Sequence, residues 1–199
     1  MFSGCTSLQE EMDMSSCNEL NISSGGTNHQ MSTSFEGMYN NCNSLISINK
    51  MKLWKHPRTY RGNGSGASPV TGCTNLQSVS EFNVDFTQDY PIAAPIYTNN
   101  DFWISAGWIW FKNLSNLVDI NFTGTVYSSD TFNDYRILRG CKTQNFTAET
   151  WQSFVDIFPD NSSSGITKRV CVGINIAHIP ETYANLLTSK GYTLYAANS

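Results

Sequence analysis

The sequence predicts an α/β repeat fold: an irregular solenoid of short parallel strands with long insertions, closed by a C-terminal helix–strand cap. Three observations predict it. A Cys/Leu anchor pattern recurs four times along the chain. The residues after each anchor read as a turn followed by a short strand. From Cys141 onward the spacing changes to helical faces followed by alternating apolar positions.

The four segments are MFSGCTSLQ from Met1, MYNNCNSLISI from Met38, PVTGCTNLQSV from Pro69 and WFKNLSNLVDI from Trp110. Each carries a small or polar pair, then Cys or Leu, two polar residues, and Leu. The anchors are Cys5/Leu8, Cys42/Leu45, Cys73/Leu76 and Leu114/Leu117, and both columns repeat at intervals of 37, 31 and 41 residues. Downstream, Leu45, Ile48, Met51 and Leu53 keep the same offsets as Leu76, Val79, Phe82 and Val84. Leu117, Ile120 and Phe122 follow the start of that pattern and then drift by one. One such unit cannot bury its apolar face alone, but stacked units share a continuous core. The Cys column then reads as small polarizable side chains packed at a turn. Leu114 in that column favours packing over metal binding, since Leu cannot ligate.

The long intervals imply insertions, approximately at residues 23–36, 54–68, 85–108 and 124–135. The second is rich in Gly and Ser and reads as a loop. The third holds Tyr90, Tyr97, Phe102, Trp103 and Trp108, with Trp110 following, which is too aromatic for plain solvent exposure. Insertions in a repeat array map to loops on one face, often the binding face. Cys17 also fits Cys-x-x-Leu, as an extra turn or as part of the first insertion.

In the closing unit, Thr147 is expected to cap a helix whose face carries Trp151, Phe154, Val155 and Phe158. Val170, Val172 and Ile174 alternate as a strand, with Ile176 continuing it and Ile179 following inward. Pro180 suits the first residue of a second helix carrying Tyr183, Leu186 and Leu187, closed by Gly191. A final strand runs from Tyr192 to Ala196. On this reading residues 1–140 form repeats with insertions and 141–199 the capping unit of the same solenoid.

The runs MFSGCTSL and MYNNCNSL resemble the leucine-rich repeats of the BspA-like family, whose units read as an M-F-x-x-C-x-S-L run followed by a strand. Tyr39 replaces the family's Phe, Pro69 and Trp110 its Met, and Asn75 and Asn116 its Ser. The closing helix–strand units look like those of BspA-like proteins, including ones encoded by bacteriophages of gut bacteria. The resemblance implies a leucine-rich-repeat solenoid on a bacterial surface, secreted, or on a virion. Met1 falls on the motif's Met position, and Met1-Phe2 leads directly into Ser3-Gly4-Cys5 of the repeat without a basic or apolar leader region. The chain is therefore expected to open inside a repeat, as part of a longer protein or a homo-oligomer.

Composition narrows the function. Charged residues make up only 14% of the 199 positions, whereas Asn, Ser and Thr fill 63. A net charge of −4 argues against nucleic acid, whose binding needs clustered Lys and Arg. No apolar run approaches a membrane span. Five Trp, nine Tyr and eleven Phe argue against disorder.

The six cysteines (Cys5, Cys17, Cys42, Cys73, Cys141, Cys171) lack zinc-ligand spacing and read as free, packed thiols, the alternative being three disulfides in an oxidising compartment. His29, His56 and His178 belong to no catalytic motif. Carboxylate pairs such as Asp130/Asp134 have nothing to place them around a pocket. No enzyme, no metal and no cofactor is expected. The expected function is non-catalytic recognition or adhesion, binding a protein or glycan, with no nucleic acid and no membrane insertion. The alternative is a structural or decoration component of a virion or cell-surface assembly. Trp54, Tyr60, Tyr97, Trp103, Trp108 and Trp110 are the candidate ligand-binding residues, because Trp and Tyr give large contact area at low entropy cost. Their competing use is to fold their own loop against the stack.

Overall fold

The computed structural model describes residues 4–9, 39, 41–52, 70, 72–84, 111, 114–126 and 134–198. Strands β1 (Ser47–Lys52), β2 (Ser78–Asn83) and β3 (Asp119–Thr123) form one parallel sheet in the order β1-β2-β3. Strands β4 (Asp134–Tyr135), β5 (Lys168–Cys171) and β6 (Tyr192–Tyr195) form a second parallel sheet in the order β4-β5-β6. Helix α1 (Ala148–Asp156) lies between β4 and β5 in the chain, and α2 (Glu181–Ser189) lies between β5 and β6.

Each turn before a strand is built alike. The amide of Leu45 donates to Cys42 O and that of Leu76 to Cys73 O, both at 3.0 Å. Cys42, Cys73 and Leu114, with Leu45, Leu76 and Leu117, are fully buried. The residue before the anchor is left-handed in Gly4 (φ 77°), Asn41 (φ 58°) and Gly72 (φ 77°), as is Gly140 (φ 73°) before Cys141. Gly and Asn enter that region at least cost, which accounts for the small or polar residue at this place in the motif.

One backbone ladder then ties the turns together. Ile46 N donates to Gln9 O (3.1 Å), Gln77 N to Ile46 O (2.8 Å), Val118 N to Gln77 O (2.9 Å) and Thr147 N to Val118 O (3.2 Å). Asparagine amides brace it from outside: Asn75 Nδ2 donates to Asn43 O at 2.7 Å and Asn116 Nδ2 to Thr74 O at 2.8 Å. The ladder's fifth member shows a turn the anchor pattern does not pick out, Thr143–Thr147, in which Phe146 N donates to Thr143 O.

Register follows the apolar positions: Ile48 pairs with Val79, and Val79 with Ile120. Between β2 and β3 the register slips, so that Phe82 pairs with Phe122. In β2 the two inward residues, Val79 and Phe82, are three apart; in β3, Ile120 and Phe122 alternate strictly. The extra residue in β2 is a bulge.

Helix α1 takes the place of a fourth strand beside β3. Thr147 caps it, its hydroxyl accepting the Thr150 amide at 3.1 Å, and Glu149 complements the N-terminal dipole. Edge-to-face rings continue the core from the first sheet through α1 to the second. Phe82 meets Phe122 (5.9 Å), Phe122 meets Phe154 (5.3 Å), Phe154 meets Phe158 (5.1 Å) and Phe158 meets Tyr192 (5.3 Å). Each such pair contributes about 0.5–1.5 kcal/mol beyond its buried area. Lys190, just past α2, reaches back to cap the end of α1 through Val155 O (2.9 Å) and Phe158 O (2.8 Å).

Two expectations for the closing unit are corrected. Strand β5 stops at Cys171, because Gly173 turns left-handed (φ 113°). Ile176 therefore does not continue the alternation; it starts a single 3₁₀ turn, Ile176–His178, and is exposed, while Ile179 is buried. Pro180 is extended (φ −62°, ψ 144°) and flanks α2 instead of opening it.

Candidate functional site

Trp54, Tyr60, Tyr97, Trp103, Trp108 and Trp110 all lie outside the described residues, as do Cys17, His29 and His56. Their attachment points are described. The second insertion leaves after β1 and returns at Val70; the third leaves after Val84 and returns at Phe111. Because β1 and β2 are parallel neighbours, both insertions leave the sheet at the same end. Val70 and Phe111, where the described chain resumes, are fully buried.

The outward side of the first sheet is a polar grid. Ser47 and Ser78 pair in register, Ser78 pairs with Asp119, and Ser80 and Asn121 stand exposed. Just before the strands, the ladder residues alternate amide and apolar side chains: Gln9, Ile46, Gln77, Val118. Ile46 and Val118 are 45% and 36% exposed, large apolar groups left in water beside hydrogen-bonding neighbours. Amides, hydroxyls and isolated apolar groups on a rigid sheet suit contact with a polar partner surface.

The second sheet carries the charge. Asp134 pairs in register with Arg169 across β4 and β5, and Tyr195 lies opposite Cys171 on β6. Alternation puts Asp134, Arg169 and Tyr195 on one face, with Tyr135, Val170 and Leu194 on the other. Asp134 is only 6% exposed, and both its oxygens are engaged. Arg136 donates to Oδ2 at 2.7 Å and Arg169 Nη2 to the same oxygen at 3.1 Å; the Tyr195 hydroxyl donates to Oδ1 at 2.6 Å. Burial works against the charge of Arg136, but the hydrogen bond and the charge of Asp134, helped by Tyr195, together outweigh this and hold its pKa above the usual value. Burial, reinforced by the Asp134 carboxylate, pushes the Tyr195 phenol well above its ordinary range. The Arg169 guanidinium lies over the Tyr195 ring, 5.1 Å from its centre.

Sequence reasoning weighed Asp134 only as one of a carboxylate pair and missed its cationic partners. Arg136 was within reach of a local signal, only two residues away in the chain. Arg169 and Tyr195 are 35 and 61 positions distant, and only the strand pairing brings them in.

The thiols are packed among apolar side chains. Cys73 Sγ donates to Tyr39 O at 2.8 Å, and Cys141 Sγ lies 4.0 Å from Leu114 O. Burial pushes the Cys73 thiol up to about 12 and raises Cys42, Cys141 and Cys171 as well. Neutral thiols are poor nucleophiles and poor metal ligands. Among the described residues, no group of three or more His, Cys, Asp or Glu is placed to hold a metal ion, and no helix is long and apolar enough to cross a membrane. No protein-family model, curated protein or solved structure matches the chain.

Proposed function

We propose that this chain is a leucine-rich-repeat-type solenoid serving as a non-catalytic recognition module on a bacterial surface or phage particle, with a protein or glycan as its ligand. The observation behind the reading is the common exit of two long insertions from one end of a parallel sheet. Each insertion departs after a strand and returns at a buried residue, Val70 or Phe111, and one insertion is dense in Trp and Tyr. Loops presented by a fixed scaffold are the usual place for binding residues. In a stacked array, insertions on one face commonly form a binding surface.

The test is binding of the intact chain to arrays of bacterial surface glycans and of purified surface proteins, beside the variants Trp103→Ala and Trp108→Ala. Saturable binding that weakens about tenfold or more in variants with unchanged melting supports the reading, since buried aromatic anchors carry energies of that size. Absence of binding on both arrays overturns it.

A further inference from the structure

We propose that the outward face of the β4-β5-β6 sheet is an oxyanion-binding site, in which Arg169, with Arg136 beside it, takes the carboxylate or phosphate group of an acidic glycan. The inference deepens the recognition reading and rests on it for the word glycan.

Charge balance is the first argument. Two guanidinium groups converge on a single carboxylate oxygen, Asp134 Oδ2, and the other oxygen is held by Tyr195. Asp134 therefore neutralises one arginine and leaves one positive charge over. Arg139 adds a third guanidinium in the same turn as Arg136, its amide donating to Arg136 O at 3.0 Å, and its buried Nε has no acceptor among the described residues. The cluster is cationic in a chain whose net charge is −4.

Availability is the second. The Arg169 side chain is 53% exposed, and among the described residues it donates only through Nη2. Its remaining N–H groups, on a side chain half in water, belong to the planar fork that matches a carboxylate or phosphate. A pair built only for stability has no need of the second arginine, because a half-exposed ion pair adds little to folding.

Preorganisation is the third. Stacking on Tyr195 and the bond to Asp134 already fix the Arg169 head group, so little side-chain freedom is left to lose on binding. A sugar acid and a phosphodiester both offer two coplanar oxygens to that fork. A neutral sugar does not.

The experiment titrates glucuronate, inorganic phosphate and, as the neutral control, glucose into the isotope-labelled intact chain, following the arginine Nε–H signals by NMR. Wild type is compared with Arg169→Gln, whose half-exposed position leaves the fold intact; equal melting temperatures verify that. Saturable shifts of Arg169 and Arg136 with an anion are expected in wild type. The affinity read at Arg136 Nε–H, the signal both proteins share, should weaken about tenfold in Arg169→Gln and with added salt, as a partly exposed ionic contact does. The tighter of the two anions identifies the source as sugar acid or phosphate. No saturable shift with either anion, or identical shifts with glucose or in Arg169→Gln, overturns the site. Small anions that bind through Arg169 while neither array binds the chain would leave the site standing and remove the recognition reading. A captured ligand indifferent to Arg169→Gln would do the opposite.

Discussion

The Thr150 hydroxyl on α1 accepts the backbone amide of Ile120 on β3 at 2.9 Å, and at the same distance donates to Asp119 Oδ1. One turn on, Ser153 Oγ accepts the Phe122 amide at 3.1 Å and lies 3.1 Å from Ile120 O. Two helical side chains thus stand in for the strand that would otherwise lie beside β3. An exposed parallel edge is a template for pairing with another chain, and here it is closed from within.

Replacing Thr150 with Val keeps the shape and leaves the Ile120 amide buried without an acceptor. The expected loss is about 1–3 kcal/mol in urea denaturation, the cost of an unsatisfied buried donor. Thr150→Ser should stay close to wild type. The double variant Thr150→Val/Ser153→Ala should also self-associate, read by light scattering, because it reopens the edge.

Gly72→Ala should destabilise more than Gly4→Ala. Both positions have φ of +77°, and a Cβ at Gly4 meets nothing within 4 Å, whereas at Gly72 it would land on Asn41 Oδ1. A left-handed non-glycine residue costs about 1–2 kcal/mol. The clash adds to that cost only at Gly72, so Asn41→Gly should recover part of the loss there and none at Gly4. Thermal melts of the singles and the double check the difference.

The buried thiols set a pH dependence. A thiol whose folded pKa exceeds its unfolded value, about 8.5, stabilises the fold fully below that pH. The contribution is lost as pH rises through the folded value, about 12 for Cys73. Tyr192 and Tyr195 are raised by burial too and act in the same direction at higher pH. Urea midpoints should therefore be flat near neutrality and fall steadily on the alkaline side. At mildly alkaline pH iodoacetamide should modify exposed Cys5 and spare Cys42, Cys73, Cys141 and Cys171, as peptide mass spectrometry would read.

Lys190→Met should lower stability by about 1.5–3 kcal/mol, since hydrogen bonds from a charged donor to two carbonyls at a helix end are lost while the aliphatic stem remains. Phe154→Ala should cost about 3–5 kcal/mol, because its ring links the first sheet to Phe158 in the chain of edge-to-face contacts. Denaturant melts of both variants provide the check.

Much of the described architecture was legible in residue spacing. The anchors and the offsets after them name the buried residues Leu45, Ile48, Leu76, Val79 and Phe82, and the drift by one at Phe122 is the bulge between β2 and β3. Side-chain chemistry of that kind is local, so periodicity reports it. The Thr143–Thr147 turn escaped because Thr and Phe stand where Cys and Leu stood before. The stop of β5 escaped because it turns on the backbone angle of Gly173, which apolar alternation does not encode. The Asp134 cluster was illegible for a different reason: its members meet only after β4, β5 and β6 have paired.

The ladder from Gln9 through Ile46, Gln77 and Val118 to Thr147 has an evolutionary consequence. Each rung is fixed by a few residues around the turn, whatever length of chain separates it from the next. The entropy of closing a loop grows only with the logarithm of its length. Segments between rungs should therefore tolerate lengthening, shortening or exchange without disturbing the hydrogen bonds of the rungs themselves.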